Sequence, residues 1–195
     1  GGVTITGTAT EDEVLTADTS ALADEDVLGA LSYQWSRDGS PIDGATSDNY
    51  TLTQEDVGAA ITVAVSYTDG QGTAESVTSS ATSAVTNVND EPTLDALSDI
   101  NINEDDPEQT VNLTGITANG GEVQQLSVTA VSDNTGLIPD PTVTYSSADS
   151  TGTLKFTPVA DQFGTATITV TVEDGGLDNN LATPGDNGVI NRTFS

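Results

Sequence analysis

The stretch Ile61-Thr62-Val63-Ala64-Val65-Ser66-Tyr67 decides the fold of the first part of this chain. Large apolar residues occupy every second position, and small or polar residues stand between them. Side chains along an extended strand point alternately to opposite faces, so this pattern predicts a β-strand with one face in a core. The alternation recurs at Ile168-Thr169-Val170-Thr171-Val172. No stretch has the spacing of an amphipathic helix, and we therefore expect an all-β protein.

The two alternating stretches belong to an internal repeat. Asp56 lies 13 residues before Asp69, and Asp161 lies 13 residues before Asp174. The offset between the copies is 105 residues for both aspartates, 56 to 161 and 69 to 174. Antiparallel sandwiches of two sheets commonly have about 100 residues. The repeat therefore predicts two tandem antiparallel β-sandwich domains.

The boundary between these domains falls in a short polar segment, Thr86-Asn87-Val88-Asn89-Asp90-Glu91-Pro92. We place the first domain at residues 1–88 and the second at residues 89–195. The sequence stops at Phe194-Ser195 within an apparent strand, so the last strand is expected to be truncated and the chain to be a piece of a longer protein.

The composition excludes several kinds of chemistry. The 195 residues include 31 acidic and three basic residues, and no cysteine, histidine or methionine. Thiolate and imidazole catalysis, soft-metal sites and disulfides are therefore excluded. A formal net charge of -28 repels nucleic acid and anionic lipid, so we expect neither as a partner. No apolar run is long enough to cross a membrane, and membrane insertion is not expected.

The sequence also gives little support for catalysis. A glycosidase needs only two carboxylates, but one of them must have its pKa raised in an apolar, aromatic-lined cleft. One Trp, four Tyr and three Phe are present. At least four of these alternate into the predicted strand cores, namely Tyr33, Trp35, Tyr67 and Phe156. We therefore expect that the protein is not an enzyme.

Sandwich topology predicts which oxygen-bearing side chains can meet at the boundary segment. The loops after the first and fifth strands share the end where the chain leaves a domain, and the loops after the second and sixth share the end where it enters. Calcium takes about 6 to 8 oxygen ligands, so convergence of these loops predicts a calcium site. The alternative is that each acid is a solvated turn residue. The expected ligands are Glu11, Glu13, Glu55, Asp56, Asn87, Asn89, Asp90, Glu122 and Asp174, with Asn119 as the alternative to Glu122.

Further acidic residues fall at the opposite ends of the two domains. The entry end of the first domain is expected to hold Asp24, Glu25, Asp26 and Asp69, and the exit end of the second to hold Glu104, Asp105, Asp106 and Asp161. The loop at residues 173–187 is expected either to bind its own calcium ion or to be a flexible insertion. Its oxygen-bearing residues are Asp178, Asn179, Asn180 and Asp186.

Several motifs carry a family resemblance. The stretches 33–39, 50–53 and 55–58 (YQWSRDG, YTLT and EDVG) resemble the immunoglobulin-like repeats of giant bacterial surface adhesins. The resemblance places Trp35 on the strand of the core tryptophan, packed against aliphatic residues because the cysteine pair is missing. The stretches 156–164 and 170–175 (FTPVADQFG and VTVEDG) resemble the cadherin-like repeats of such adhesins, including those with RTX-type secretion.

The boundary segment resembles the Asp-x-Asn-Asp-x-x-Pro linker of cadherins, with Asn87 in the first position and Pro92 one residue early. The resemblance implies that Glu11, Glu55 and Asp56, with the linker residues, bind calcium. It implies a calcium-rigidified extender repeat of a large adhesin at the bacterial cell surface, with neighbouring repeats of the same chain as partners. The alternative is a glycan-binding or homophilic module of a secreted protein, whose partner is a surface glycan or another adhesin.

Overall fold

The computed structural model describes residues 2–195. The chain forms two compact units, Gly1–Val88 and Asn89–Ser195. Each unit is an antiparallel β-sandwich of two sheets, which confirms the predicted fold class. Helical structure in residues 2–195 amounts to one 3-10 turn, Gln54–Asp56, and no helix there is long and apolar enough to cross a membrane.

The first unit divides its strands between the two sheets in the manner of an immunoglobulin fold. One sheet has the order β1-β2-β5 and the other the order β4-β3-β6-β7. The strands are β1 Thr4–Thr6, β2 Val14–Asp18, β3 Ser32–Arg37, β4 Ser40–Pro41, β5 Asn49–Thr51, β6 Ile61–Thr68 and β7 Ala74–Thr78.

The core of the first unit forms where the alternating stretch predicted it. Ile61, Val63 and Val65 on β6 are fully buried, and Val63 pairs with Trp35 on β3. The Trp35 side chain is fully buried and its indole N–H donates to the carbonyl of Ser47 over 2.9 Å. This bond satisfies the one polar group of the tryptophan, so the ring can lie in the core without loss.

The second unit follows a related plan. Its sheets have the orders β10-β11-β8 and β13-β12-β9. The last strand pairs with β12 through all six of its residues, from Val189 to Phe194. The strands are β8 Gln109–Thr114, β9 Leu126–Ser132, β10 Thr142–Thr144, β11 Thr151–Phe156, β12 Ile168–Asp174 and β13 Val189–Phe194.

The core of the second unit is built by β12 and the facing sheet. Ile168, Val170 and Val172 are buried on one face of β12, opposite Leu113 and Leu154. The polar residues between them on β12 are half-buried or face the neighbouring strands. This alternation leaves the end of β12, where Asp174 follows Val172 by two residues, on the buried side of the strand.

Candidate metal-binding sites

Glu11 is the predicted ligand of the first unit that lies against the boundary segment. Its backbone N–H donates to the carbonyl of Thr86 over 2.9 Å, and its Oε2 accepts the N–H of Val88 over 3.2 Å. The side chain is only 3% exposed. Glu11 is thus held beside residues 86–88, of which Asn87 is partly buried. Glu13, two residues later, is exposed.

Asp56 has surroundings that the ligand hypothesis did not foresee. Its carboxylate is fully buried and accepts hydrogen bonds from Arg37 Nε over 2.7 Å, Tyr50 Oη over 2.8 Å and the N–H of Thr53 over 2.9 Å. Burial opposes ionisation, but these hydrogen bonds outweigh it and lower the pKa of Asp56. Both carboxylate oxygens are engaged inside the first unit, so Asp56 has a structural role there.

Glu55 also differs from the expected ligand. Its side chain is 81% exposed and its Oε2 lies 3.3 Å from Arg37 Nη1. Arg37 therefore contacts both Glu55 and Asp56, the two residues that the resemblance implied as calcium ligands. Arg37 is one of the three basic residues of the sequence. It pairs with Asp56, whose burial would be costly without a positively charged partner.

The second unit gathers its predicted ligands around Asp174. This residue ends β12 and is fully buried. Its Oδ1 accepts the backbone N–H groups of Gly176 over 2.9 Å and Gly188 over 2.8 Å, and the Asn89 side-chain amide lies 3.2 Å away. Within residues 2–195, none of the described ion pairs involves Asp174. The carboxylate is therefore buried among uncharged donors alone.

Gln124 connects Asp174 to the other acids of this group. Its Nε2 donates to Asn89 Oδ1 over 2.6 Å and to Glu122 Oε2 over 3.0 Å. The same Glu122 oxygen accepts the backbone N–H of Asp90 over 3.2 Å. Gln124 is 9% exposed, and its Oε1 is buried without a hydrogen-bond partner. The Asp174 group, defined as Asn89, Asp90, Glu122, Gln124 and Asp174, thus contains an unused buried oxygen.

Two glycines allow the carboxylates of this group to approach the backbone. A Cβ at Gly120 would overlap Oδ2 of Asp90, and one at Gly188 would meet Asp174. A side chain at either place would displace the carboxylate from its present position. Asn119, the alternative to Glu122, is exposed with a φ of 67° in the same turn. Glu122 is the residue that contacts the group.

Sequence reasoning missed Gln124. Its signal was the spacing Glu122-Val123-Gln124, since residues two apart in an extended segment lie on the same side. Val123 between them is 88% exposed, which confirms that this segment has a polar inner face.

The entry end of the first unit also brings together acids that the sequence placed there. Carboxylate oxygens of Asp24, Asp26 and Asp69 all lie within 4.8 Å of one another. Tyr67 donates to Glu75 Oε2 over 2.6 Å, and this hydrogen bond, with burial, raises the pKa of Tyr67 to about 12. Tyr67 Oη also lies 3.4 Å from Oδ2 of Asp24, so the tyrosine connects Glu75 to this cluster.

The remaining predicted acids for which hydrogen bonds are described accept them from loops of the second unit. In the loop at residues 173–187, Asp178 accepts bonds from Asn180 N and Thr183 Oγ1, and Asp186 accepts the N–H of Leu177. At the far end of the second unit, Asp105 accepts the N–H of Asp161 over 3.2 Å. The bonds of Asp178 are those of an ordinary turn, whereas the bond between Asp105 and Asp161 joins two loops that the sequence placed at the same end of the unit.

No family model matches this chain, and no curated protein matches it. Solved structures show weak similarity. A D1–D4 ectodomain fragment of ICAM-5 matches with 14% identity and a TM-score of 0.30, covering 98% of this chain and 50% of that chain. Domains 4 and 5 of the S-layer protein SbsC match with 16% identity and a TM-score of 0.33, covering 92% of this chain and 81% of that chain.

A third similar structure is SGBP-B of the Bacteroides ovatus mixed-linkage glucan utilization locus, in complex with a mixed-linkage heptasaccharide. Its identity is 16% and its TM-score 0.22, over 98% of this chain and 40% of that chain. This chain spans half the length of the ICAM-5 fragment and less of the glucan-binding protein. The function is therefore inferred from the residues of this chain.

Proposed function

We propose that this chain is a pair of calcium-binding β-sandwich repeats of a secreted or surface-attached protein, and that it has no catalytic activity. The observation that carries the proposal is the Asp174 group. The fully buried carboxylate of Asp174 has only uncharged hydrogen-bond donors, and Gln124, which is bonded to the same Asn89 side chain, has a buried amide oxygen without a partner. Burial of a charge without a counter-charge is costly, and a bound cation removes that cost.

The donors of the Asp174 group suit calcium. Carboxylates of Asp90, Glu122 and Asp174 and the amides of Asn89 and Gln124 are all oxygen ligands of the hard type that calcium prefers. Soft transition metals would require thiolate or imidazole, which the chain lacks. Asp174 and Glu122 are linked through the side chains of Asn89 and Gln124, and a divalent ion bound by these groups would neutralise the carboxylate charges.

The side-chain amides of Asn89 and Gln124 can stabilise the Asp174 group both without calcium and with calcium bound. As placed, the Asn89 and Gln124 N–H groups donate to Asp174 and Glu122. Rotation of an amide by half a turn exchanges its oxygen and nitrogen, so each can present an acceptor instead. Without calcium, the amide N–H groups of Asn89 and Gln124 stabilise the carboxylates of Asp174 and Glu122 by hydrogen bonds. With calcium bound, the amide oxygens would be further ligands of the ion. Calcium then stabilises the folded second unit relative to the unfolded chain, where the ligands are dispersed.

Calcium is expected to raise the melting temperature of the second unit by several degrees over the value in chelator. A ligand at ten times its Kd adds about 1.4 kcal/mol, and about 1 kcal/mol shifts the melting temperature of a domain of this size by roughly 4 to 8 °C. The variant Asp174→Asn keeps an acceptor for Gly176 and Gly188 but loses the charge, and should lose most of the calcium response. Thermal melts followed by circular dichroism and NMR measure both.

The matched control is Asp149→Asn, which removes the same charge from an exposed turn before β11. Its calcium response should equal that of the parent. Magnesium should substitute poorly because it demands a smaller octahedral set of ligands. Equal melting temperatures in calcium and in chelator would contradict the assignment of this group as the calcium site. An unchanged effect of calcium on the melting temperature of Asp174→Asn would contradict it as well.

The mechanical role follows from the boundary segment. In our proposal, calcium held by the linker residues Asn87, Asn89 and Asp90, together with Glu11, stiffens the chain as part of a cadherin-like extender in a large adhesin. The segment itself is short and polar, and domains joined by such linkers move independently by default. The surface or secreted location, and the neighbouring repeats as partners, belong to this same proposal.

Asp90→Ala is expected to abolish the effect of calcium on the flexibility of the chain. In solution X-ray scattering, the parent should give a narrower distribution of interatomic distances in calcium than in chelator. Asp90→Ala should give the broad distribution in both, because a ligand is lost from the linker, whereas Asp26→Ala should behave as the parent does. Identical parent profiles in calcium and chelator contradict the stiffening role without affecting the thermal test of the Asp174 group.

A glycan-binding role is the second candidate, and one observation favours it. Phe163 is 91% exposed, and exposed aromatic rings stack on sugars. Phe163 lies at the rim of an open groove of about 420 Å³ that residues 99–104 and 162–166 line.

A further inference from the structure

The second unit contains two Asn-Gly dipeptides, Asn119-Gly120 and Asn187-Gly188. An asparagine followed by glycine can lose its side-chain nitrogen as ammonia. The backbone nitrogen of the glycine attacks the side-chain carbon Cγ of the asparagine, and the glycine has no Cβ that would hinder this approach. In a folded chain, the reaction requires that this nitrogen and this side chain are not held by other groups.

Asn119-Gly120 is accessible in the loop between β8 and β9. Both residues are exposed. The backbone of Asn119 is fixed, since its N–H donates to Thr117 Oγ1 over 3.1 Å and its carbonyl accepts the N–H of Glu122 over 2.9 Å. Within the part of the chain that the structure describes, the Gly120 N–H and the Asn119 side chain form no hydrogen bond. The two groups that react are therefore in contact with water.

Asn187-Gly188 is held by hydrogen bonds at both reacting groups. The N–H of Gly188 donates to Oδ1 of the buried Asp174 over 2.8 Å. The Asn187 side-chain amide donates to Glu173 Oε1 over 2.8 Å, and its Oδ1 is buried. The glycine nitrogen must lose its proton before it attacks, and this proton is bound to a carboxylate. The second dipeptide can therefore react only after the loop opens locally.

We propose that Asn119 is a site of spontaneous deamidation and that its modification weakens calcium binding by the Asp174 group; the second part rests on the proposed function. The lone pair of the Gly120 nitrogen forms a bond to Cγ of Asn119. The C–N bond of the side-chain amide breaks, and ammonia leaves with the proton of Gly120. Water then opens the cyclic imide at either carbonyl. The product is aspartate or isoaspartate, and in isoaspartate the main chain runs through the side-chain carbon.

The turn that contains Gly120 positions two carboxylates of the Asp174 group. Asp90 Oδ2 lies so close to Gly120 that a Cβ there would overlap it, and Glu122 is bonded to the carbonyl of Asn119. Isoaspartate adds a methylene group to the main chain between residues 119 and 120, which moves Gly120 and Glu122 relative to Asp90. Changes in groups that orient metal ligands typically reduce metal affinity by about 10-fold or more. The modified turn therefore holds these carboxylates less well for one ion.

Incubation of the full chain in chelator at mildly alkaline pH, followed by peptide mapping with mass spectrometry, measures deamidation at each dipeptide. In the folded chain, Asn119 should react at least about tenfold faster than Asn187, because Asn187 must await local opening. In urea, where neither dipeptide is held by the fold, the two rates should become similar. Equal rates in the folded chain would overturn the assignment of Asn119 as the modification site. Reaction of Asn119 in urea but not in the folded chain would overturn it as well.

Calorimetric titration with calcium tests the effect of the modification. Deamidation adds a negative charge, so ion-exchange chromatography separates the modified chain, which should bind calcium about tenfold more weakly than the fresh chain. Asn119→Gly is the matched control, because glycine accepts the φ of 67° and has no amide to lose. Its calcium affinity should not change during the same incubation. Asn119→Asp adds the charge without the methylene group and should bind calcium at least as tightly as the fresh parent.

Two results would overturn the effect on calcium binding: an unchanged affinity of the modified chain, or an equal loss of affinity in incubated Asn119→Gly. Absence of calcium binding by the fresh chain would contradict the proposed function and, with it, this effect. The comparison of rates at Asn119 and Asn187 is made in chelator, so it decides the deamidation site whether or not the chain binds calcium.

Discussion

Trp35→Ala is expected to destabilise the first unit by about 3 to 5 kcal/mol, the range for truncation of large aromatic residues in cores. The indole is fully buried between the two sheets and stacks on Tyr50 with ring centroids 5.9 Å apart. Truncation removes the packing between the sheets and the stacking on Tyr50, and it leaves a cavity that the surrounding β-strands cannot close. It also removes the N–H donor of the Ser47 carbonyl. Loss of most of the stability of a domain of this size is the consequence.

Urea unfolding followed by NMR signals of the first unit measures this change, because the variant lacks the only tryptophan as a fluorescence probe. Phe163→Ala is the control, since its ring is 91% exposed and its loss should change the free energy of unfolding by less than about 0.5 kcal/mol. A loss below roughly 1 kcal/mol for Trp35→Ala would show that the ring contributes little to the core. It would instead favour a role for Trp35 in ligand contact.

The strands of both units could be predicted because their cores use strict alternation. Ile61, Val63 and Val65 are fully buried in the structure, and Ile168, Val170 and Val172 are at most 2% exposed. One residue of register error would turn each set to the solvent, so the pattern specifies the strand and its buried face together. Short strands such as β4 lack enough residues for a pattern, and their pairing depends on their neighbours along the chain.

The candidate metal sites were predictable in part. Topology correctly gathered Asp24, Asp26 and Asp69, because loops at one end of a sandwich must meet. Topology could not show which of the acids bind other side chains of the same chain. Arg37 binds Asp56 from 19 positions away, and only the pairing of β3 with β6 brings their neighbourhoods together. Composition alone treats all the acids as equivalent.

The groove was beyond prediction for a different reason. The sequence shows Phe163 within a motif, but exposure depends on what covers the residue in three dimensions. In the first unit, the residue before the glycine of the corresponding acidic turn is Val57, which is partly buried and pairs with Val85. The exposure of such a residue therefore depends on which segment packs over it, and the local sequence does not show this.

Asp56→Ala is expected to cost the first unit about 3 to 5 kcal/mol, the range for removing one partner of a buried ion pair. Arg37, Tyr50 and Thr53 all donate to this carboxylate, and each would lose its acceptor. Glu55→Ala is the matched control, since its 81% exposed side chain forms only the outer contact with Arg37 and should contribute less than about 1 kcal/mol. Urea unfolding of the first unit in chelator and in calcium measures both variants.

The dependence on calcium and pH separates the structural role of Asp56 from the role of a calcium ligand. A structural carboxylate gives the same loss in calcium and in chelator, whereas a ligand would give a loss that grows with calcium. Because folding lowers the pKa of Asp56, its contribution is complete above the ordinary aspartate pKa of about 3.9 and disappears as the pH falls through the lower folded-state pKa. The parent should therefore lose stability steeply in this acidic window, and Asp56→Ala should lose less. A loss of stability in Asp56→Ala that depends on calcium would indicate that Asp56 is a calcium ligand. The same indication would come from an acid-induced decrease in stability that is equal in the variant and the parent.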